Sequence, residues 1–181
     1  MTATTEAILA IDQGTTSSRA ILFSPHADVL GVSQQEFEQL FPADGWVEHR
    51  PADLWKTVVE VGREMVTKAN SLGRTLTAIG ITNQRETTLI WDRKTGDVIH
   101  NAIVWQCRRG QKVCDKINKS IKNKKLIKKK TGLTLDTYFP ASKLIELLNT
   151  NKKIKDKLKR GTALFGTIDT YLIYQLTNQK I

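Results

Sequence analysis

The stretch AILAIDQGTTSSRAILF, residues 7–23, decides the fold. Its apolar run from Ala7 to Ile11 reads as a short buried strand, and Arg19–Phe23 reads as a second. Between them lies a polar turn from Asp12 to Ser18 with one glycine. Val29–Phe37 alternates well enough for a third strand, and the short connections predict an antiparallel meander. Working outward, Phe41 to His49 reads as a loop. Pro51 opens a helix because a missing N–H costs nothing in a first helical turn. Leu54, Val58, Val61, Met65 and Ala69 then recur at helical spacing up to a stop near Asn70 to Gly73. Leu76–Thr82 is a further buried-strand candidate. Thr87–Trp91 and Val98–Val104 flank Arg93-Lys94-Thr95-Gly96-Asp97 as a hairpin would.

Residues 105–160 read as helical and lysine-rich, with a break at Thr131-Gly132 and a restart near Pro140. Ala163–Gly166 reads as a strand and Ile168–Leu176 as a buried helix, with Asp169 at its start. This order is α/β. It matches the start of the ribonuclease H-like core shared by actin, hexokinase and heat-shock ATPases.

The chain has 181 residues, 40% of them hydrophobic and 25% charged, which suits a globular fold. No apolar run approaches the roughly 20 residues that span a bilayer. The N-terminus lacks the basic region of a signal peptide, so no membrane insertion and a cytoplasmic location are expected. Cys107 and Cys114 lack the spacing and partners of a zinc site and are expected to be half-buried thiols on a helix. The net charge of +10 is uneven: residues 1–107 carry −4, residues 108–160 carry +14 and residues 161–181 balance. A basic segment raises the question of nucleic acid. No aromatic residue for base stacking occurs from Cys107 to Thr137. Apolar spacing at Val113, Ile117, Ile121 and Leu126 instead predicts solvated helices, so no nucleic-acid partner is expected.

The chemical signal lies in Asp12-Gln13-Gly14-Thr15-Thr16-Ser17-Ser18-Arg19. A loop that holds a triphosphate needs hydroxyl and N–H donors, close backbone approach and an acidic group for Mg²⁺. Gly14 permits the approach. Thr15, Thr16 and Ser17 supply hydroxyls and backbone N–H groups able to form an anion nest. Arg19 can stabilise charge on a transferred phosphoryl group. Asp12 is a hard oxygen ligand suited to Mg²⁺, directly or through water. A polar β-turn with ordinary capping residues is the plain alternative. The G-x-x-x-x-G-K-[ST] loop and the G-x-G-x-x-G fingerprint are both absent.

Four further segments accompany this loop in order: Gly45-Trp46-Val47-Glu48-His49, residues 81–87 (ITNQRET), residues 101–109 (NAIVWQCRR) and residues 165–171 (FGTIDTY). Together the five resemble the N-terminal domain of the glycerol kinase branch of the FGGY carbohydrate kinases. The resemblance implies phosphorylation of glycerol by ATP with Mg²⁺ as cofactor. It implies nucleotide and phosphate contacts at Thr15, Thr16, Ser17 and Arg19, and glycerol contacts at Arg85, Glu86, Trp105 and Tyr138. A polyol pocket needs a charged donor and a charged acceptor to fix several hydroxyls, beside an aromatic wall that excludes water. The same four residues could instead be a surface charge pair, a core aromatic and a loop cap.

By the resemblance the general-base aspartate lies beyond Ile181, so no residue of this chain is expected to act as that base. Residues 1–181 are then an incomplete FGGY kinase N-terminal domain, truncated and inactive alone, with the C-terminal domain absent. Its parts are residues 1–104 (ribonuclease H-like meander, helix and hairpin), 105–160 (lysine-rich helices) and 161–181 (strand and helix). The resemblance also implies a homo-oligomer at full length. The readings left open are a kinase for another polyol or sugar of the family, and a non-catalytic nucleotide- or nucleic-acid-binding module or actin-like ATPase.

Overall fold

The computed structural model describes residues 5–178. Residues 1–4, part of the segment read as no leader, and residues 179–181, the tail of the expected strand–helix part, lie outside the described residues. The chain divides into two compact units, Met1–Gln39 with Arg50–Gln84, and Leu40–His49 with Arg85–Ile181.

In the first unit, β1 (Glu6–Gln13), β2 (Ser17–Phe23) and β3 (Val29–Glu36) form the expected antiparallel meander. The helix α1 (Pro51–Ser71) follows, and then β5 (Thr75–Asn83) pairs parallel to β1, giving the sheet order β3-β2-β1-β5. This is the ribonuclease H-like opening read from the sequence. Strand period decides which side chains are buried. Ala7, Leu9, Ile11, Ala20 and Leu22 are buried, as are Leu54, Val58, Val61 and Met65 of α1, which packs against β1 and β2. A polar pair marks the same interface, where Ser18 Oγ and Thr57 Oγ1 lie 2.8 Å apart. Leu76–Thr82, expected to be buried, is not. No residue of β5 is fully buried, and Ile79 is 54% exposed. Among the described residues β5 is the outer strand of this sheet, and α1 lies mainly over β2 and β3.

The second unit holds β4 (Glu48–His49), β6 (Thr88–Asp92), β7 (Val98–Ile103) and β8 (Ala163–Thr167) in the order β4-β7-β6-β8, all antiparallel. The expected hairpin is present as β6–β7, and it belongs with this unit. The stretch read as a loop contains β4, two residues paired to β7. Strand β6 is buried on both faces. On one, Ile90 packs with Ile103, Cys107, Leu147, Ile154 and Ala163. On the other, the Trp91 ring lies 5.5 Å from Tyr171 and 5.6 Å from Tyr174 of α6 (Ile168–Leu176). Asp169 lies in the first turn of α6, as expected.

The lysine-rich segment is four helices: α2 (Gln111–Asn118), α3 (Ile121–Thr131), α4 (Pro140–Thr150) and α5 (Lys152–Lys159). Residues 105–110 are turns and loop, not helix. Ser120 and Asn151 accept hydrogen bonds from the N–H groups of Asn123 and Ile154, and so cap α3 and α5. Gly132 ends α3 at φ 73°, the left-handed geometry that glycine tolerates. Only part of the expected apolar spacing is used. Val113 is buried, but α3 buries nothing and its Ile121 is 72% exposed. Cys107 and Cys114 are free thiols, both fully buried, and only Cys114 lies on a helix. Among the described residues no helix is long and apolar enough to cross a membrane.

Candidate functional site

The hydroxyl-rich bend of the first unit joins β1 to β2. Its backbone is pinned by Gly14 N–H donating to Ser17 O at 2.8 Å, and by Phe37 N–H donating to Thr16 O at 3.2 Å. A side chain at Gly14 would put Cβ 3.1 Å from Ser17 O, a close contact that the turn would have to open slightly to accept. The pleat separates the two faces. Gln13 and Ser18 point toward α1, whereas Asp12 and Arg19 are register partners on the opposite face. Thr82 of β5 and Gln34 of β3 extend that row. Arg19 Nε donates to Gln34 Oε1 at 2.9 Å, and Gln34 Nε2 donates to Ser17 Oγ at 2.9 Å. Thr16 and Arg19 are exposed, while Asp12, Thr15 and Ser17 are half-buried. The five residues read for phosphate and Mg²⁺ thus lie in this bend and the strand ends beside it, with Asp12 and Arg19 as cross-strand partners and Gln34 joining Arg19 to Ser17. Among the described residues no three His, Cys, Asp or Glu side chains gather as a metal cluster. A single half-buried carboxylate beside a row of hydroxyls fits Mg²⁺, which keeps most of its waters and binds through one or two carboxylates with substrate phosphates.

In the second unit, Arg85 and Glu86 form the turn that leads into β6. Glu86 adopts φ 66°, a left-handed conformation that glutamate rarely takes. Trp105 occupies the turn after β7, and its N–H donates to Thr87 Oγ1 at 3.1 Å, which ties the two turns together. Tyr138 precedes α4, with its N–H held by Asp136 Oδ1 at 2.7 Å. The rings of Trp105 and Tyr138 meet edge to face at 5.7 Å, and Tyr138 meets Phe139 at 5.1 Å. Of the four residues read for glycerol, Trp105 and Tyr138 are in ring contact, and Glu86 is tied to them through its neighbour Thr87. Arg85 is exposed.

Two features of this unit escaped the reading of the sequence. Glu48 of β4 accepts hydrogen bonds from Arg109 Nη2 and from Asn101 Nδ2. Burial pushes the Glu48 carboxyl up, but the Arg109 and Asn101 hydrogen bonds outweigh it and leave it below its ordinary value. The Arg109 guanidinium lies 4.1 Å over the Trp46 ring, and its Nε donates to Cys107 Sγ. The segments carrying these residues were singled out, yet nothing local shows that they meet. The second feature is Lys143 on α4, which is fully buried; burial lowers its amine to about 8.

Residues 7–181 match the N-terminal domain of the FGGY family of carbohydrate kinases. A glycerol kinase from Francisella philomiragia subsp. philomiragia is 49% identical over 174 residues, covering 96% of this chain and 35% of that protein. One from Clostridium botulinum is 46% identical with the same coverage. The chain thus spans about a third of the length of the curated relatives it matches. Among solved structures, Plasmodium falciparum glycerol kinase with ADP superposes with a TM-score of 0.89 at 36% identity, covering 96% of this chain and 34% of that one. A ligand-bound xylulose kinase from Lactobacillus acidophilus shares the fold at 18% identity, with a TM-score of 0.82 over 94% of this chain and 33% of that one. With the family's N-terminal domain matched across almost the whole sequence and the same fold in its members, the chain belongs to the FGGY family of carbohydrate kinases.

Proposed function

We propose that this chain supplies the phosphate-binding bend and the polyol-recognising residues of an ATP-dependent glycerol kinase, which makes sn-glycerol 3-phosphate. The observation that carries the reading is the linked set Glu86, Trp105 and Tyr138. The Trp105 turn is tied to the Glu86 turn through Thr87, and the Trp105 and Tyr138 rings meet edge to face. Such a set suits a small molecule with hydroxyls on every carbon. Glu86 accepts from hydroxyls, Arg85 donates to them, and the rings exclude water from the carbon chain. The names of the relatives support glycerol over other substrates of the family.

On the nucleotide side, the N–H and hydroxyl groups of Thr15, Thr16 and Ser17 hold phosphate oxygens, and Arg19 opposes the charge of the transferred group. Mg²⁺ held by Asp12, directly or through water, would neutralise phosphate charge and help orient ATP. The attacking hydroxyl needs a base, which we place by resemblance on an aspartate outside residues 1–181. The 181-residue chain is accordingly proposed to bind without turning over. A cytoplasmic location and a homo-oligomeric full-length protein belong to the same proposal.

The test is glycerol binding to the 181-residue chain by saturation-transfer NMR, with xylulose and gluconate as competitors. Glycerol signals that vanish in Trp105→Ala and Glu86→Gln, and that neither sugar acid nor ketose displaces, are the expected result. Preferential binding of xylulose or gluconate would assign a different member of the family. Phosphorylation of glycerol by the chain alone would overturn the placement of the base.

A further inference from the structure

We propose that Lys143 is a positioning residue for the polyol pocket: its buried ammonium group clamps the backbone of Val104, Trp105 and Tyr138 and so holds the two aromatic rings against each other. The inference rests on the polyol reading above, because it gives a purpose to the wall formed by those rings.

Lys143 is fully buried. Its Nζ donates to Tyr138 O at 3.0 Å, Val104 O at 3.3 Å and Trp105 O at 3.4 Å. An ammonium has three donors and no acceptor, so three carbonyls satisfy it completely. Removing a cation from water is costly, and a salt bridge is the usual compensation. Here the partners are carbonyls from two turns far apart in sequence, the one after β7 and the one before α4. A fully buried lysine makes a poor generic filler for a core, since a leucine or methionine would fill the space without that cost. What it does that they cannot is pull two peptide segments onto one point. Those segments carry Trp105 and Tyr138, whose rings meet at 5.7 Å. The helix carrying Lys143 has little freedom to retreat. A Cβ on Gly110, just before α2, would stand 2.5 Å from Ser142 Oγ, so α4 is seated directly against that glycine.

The chemistry gives the clamp a signature. Burial lowers the amine from its ordinary value to about 8. The groups facing it are Cys107 and Arg109 from the segment after β7, Glu86 from the turn before β6 and Asp136 from the turn before α4. A neutral amine keeps only two N–H donors, so deprotonation releases one of three carbonyls and loosens the wall.

The experiment uses the 181-residue chain labelled with 5-fluorotryptophan, whose four tryptophans give separate ¹⁹F resonances, with that of Trp105 assigned through Trp105→Phe. The expected result has three parts. In the wild type the Trp105 resonance titrates with a midpoint near pH 8. Lys143→Met shifts that resonance, abolishes its titration and leaves those of Trp55 and Trp91 in place, whereas Cys107→Ser keeps the titration. Glycerol moves the Trp105 resonance in the wild type and binds about tenfold more weakly to Lys143→Met, the loss expected when a pocket wall is no longer held in place. A Trp105 resonance indifferent to both pH and Lys143→Met would overturn the clamp. Equal glycerol affinity in the two proteins would overturn its role in the pocket while leaving the polyol reading intact. A Trp105 resonance that follows Lys143 but never responds to glycerol would sink the polyol reading, and this inference with it. Should Lys143→Met fail to fold, the wild-type titration and its persistence in Cys107→Ser decide the matter.

Discussion

The buried hydroxyl of Thr87 accepts a hydrogen bond from the backbone N–H of Trp105 at 3.1 Å, joining the residue beside Glu86 to the turn after β7. Thr87→Val keeps the shape and removes the acceptor. Leaving that N–H without its partner should cost about 1–2 kcal/mol. The measurement is the urea midpoint, together with the Trp105 ¹⁹F resonance. An unchanged resonance would mean that the two turns are held by other contacts.

Arg109 and Glu48 form an ion pair in which both side chains are almost entirely buried. Removing one partner strands the other charge, so Arg109→Met should destabilise by about 3–5 kcal/mol. The double variant Arg109→Met, Glu48→Gln should recover part of that loss, because no charge is then left alone. The Glu48 carboxyl lies below its ordinary value of 4.5 in the folded chain. Its contribution is therefore complete above that value and is lost as pH falls through the lower folded value. Equal loss in the single and double variants, measured by urea unfolding, would count against this account.

His49 is fully buried, and burial lowers its imidazole from 6.5 to about 4. Between those values the unfolded chain takes up a proton that the folded chain refuses. Stability should fall as pH drops from 6.5 to 4, by about 3 kcal/mol when the whole interval is crossed. This window opens well above that of Glu48, so the two can be told apart. Denaturant unfolding at half-unit pH intervals should show the first slope in the wild type and a flatter profile in His49→Asn. A wild-type profile that is level from pH 6.5 to 5 would refute the assignment.

Glu86 holds φ 66° in the turn before β6. A side chain in this left-handed region costs about 1–2 kcal/mol that glycine avoids. Glu86→Gly should therefore be more stable than Glu86→Ala by about 1 kcal/mol, after allowing for the greater entropy that glycine loses on folding. Both variants should lose glycerol binding, since both lack the acceptor. Thermal unfolding read beside a binding titration separates the two effects. Equal stability of the two variants would show that the turn relaxes.

Much of the fold was legible before any coordinates. The meander, α1 and the hairpin follow from periodicities of two and 3.6 residues and from Pro51, all of which act within a few residues. The candidate site was legible as motifs, and the row of Asp12, Arg19 and Thr82 follows once β1, β2 and β5 are paired. Exposure was less legible. LTAIGIT reads as a buried strand on composition, yet among the described residues β5 is the outer strand, and that position depends on which strands lie beside it. Ile121 and Leu126 keep helical spacing but are exposed among the described residues.

The amino-acid order alone determined the α/β succession, the phosphate-type bend and the residues read for a polyol, because each is written in neighbouring positions. Only the tertiary structure decided that Lys143, one lysine among many in a basic segment, is buried beneath Trp105 and Tyr138, and that Arg109 meets Glu48 under Trp46. Burial and partnership belong to segments distant in the chain. A lysine's charge favours a solvated face, and Lys143 is held in its carbonyl cage only because the turns after β7 and before α4 close upon it.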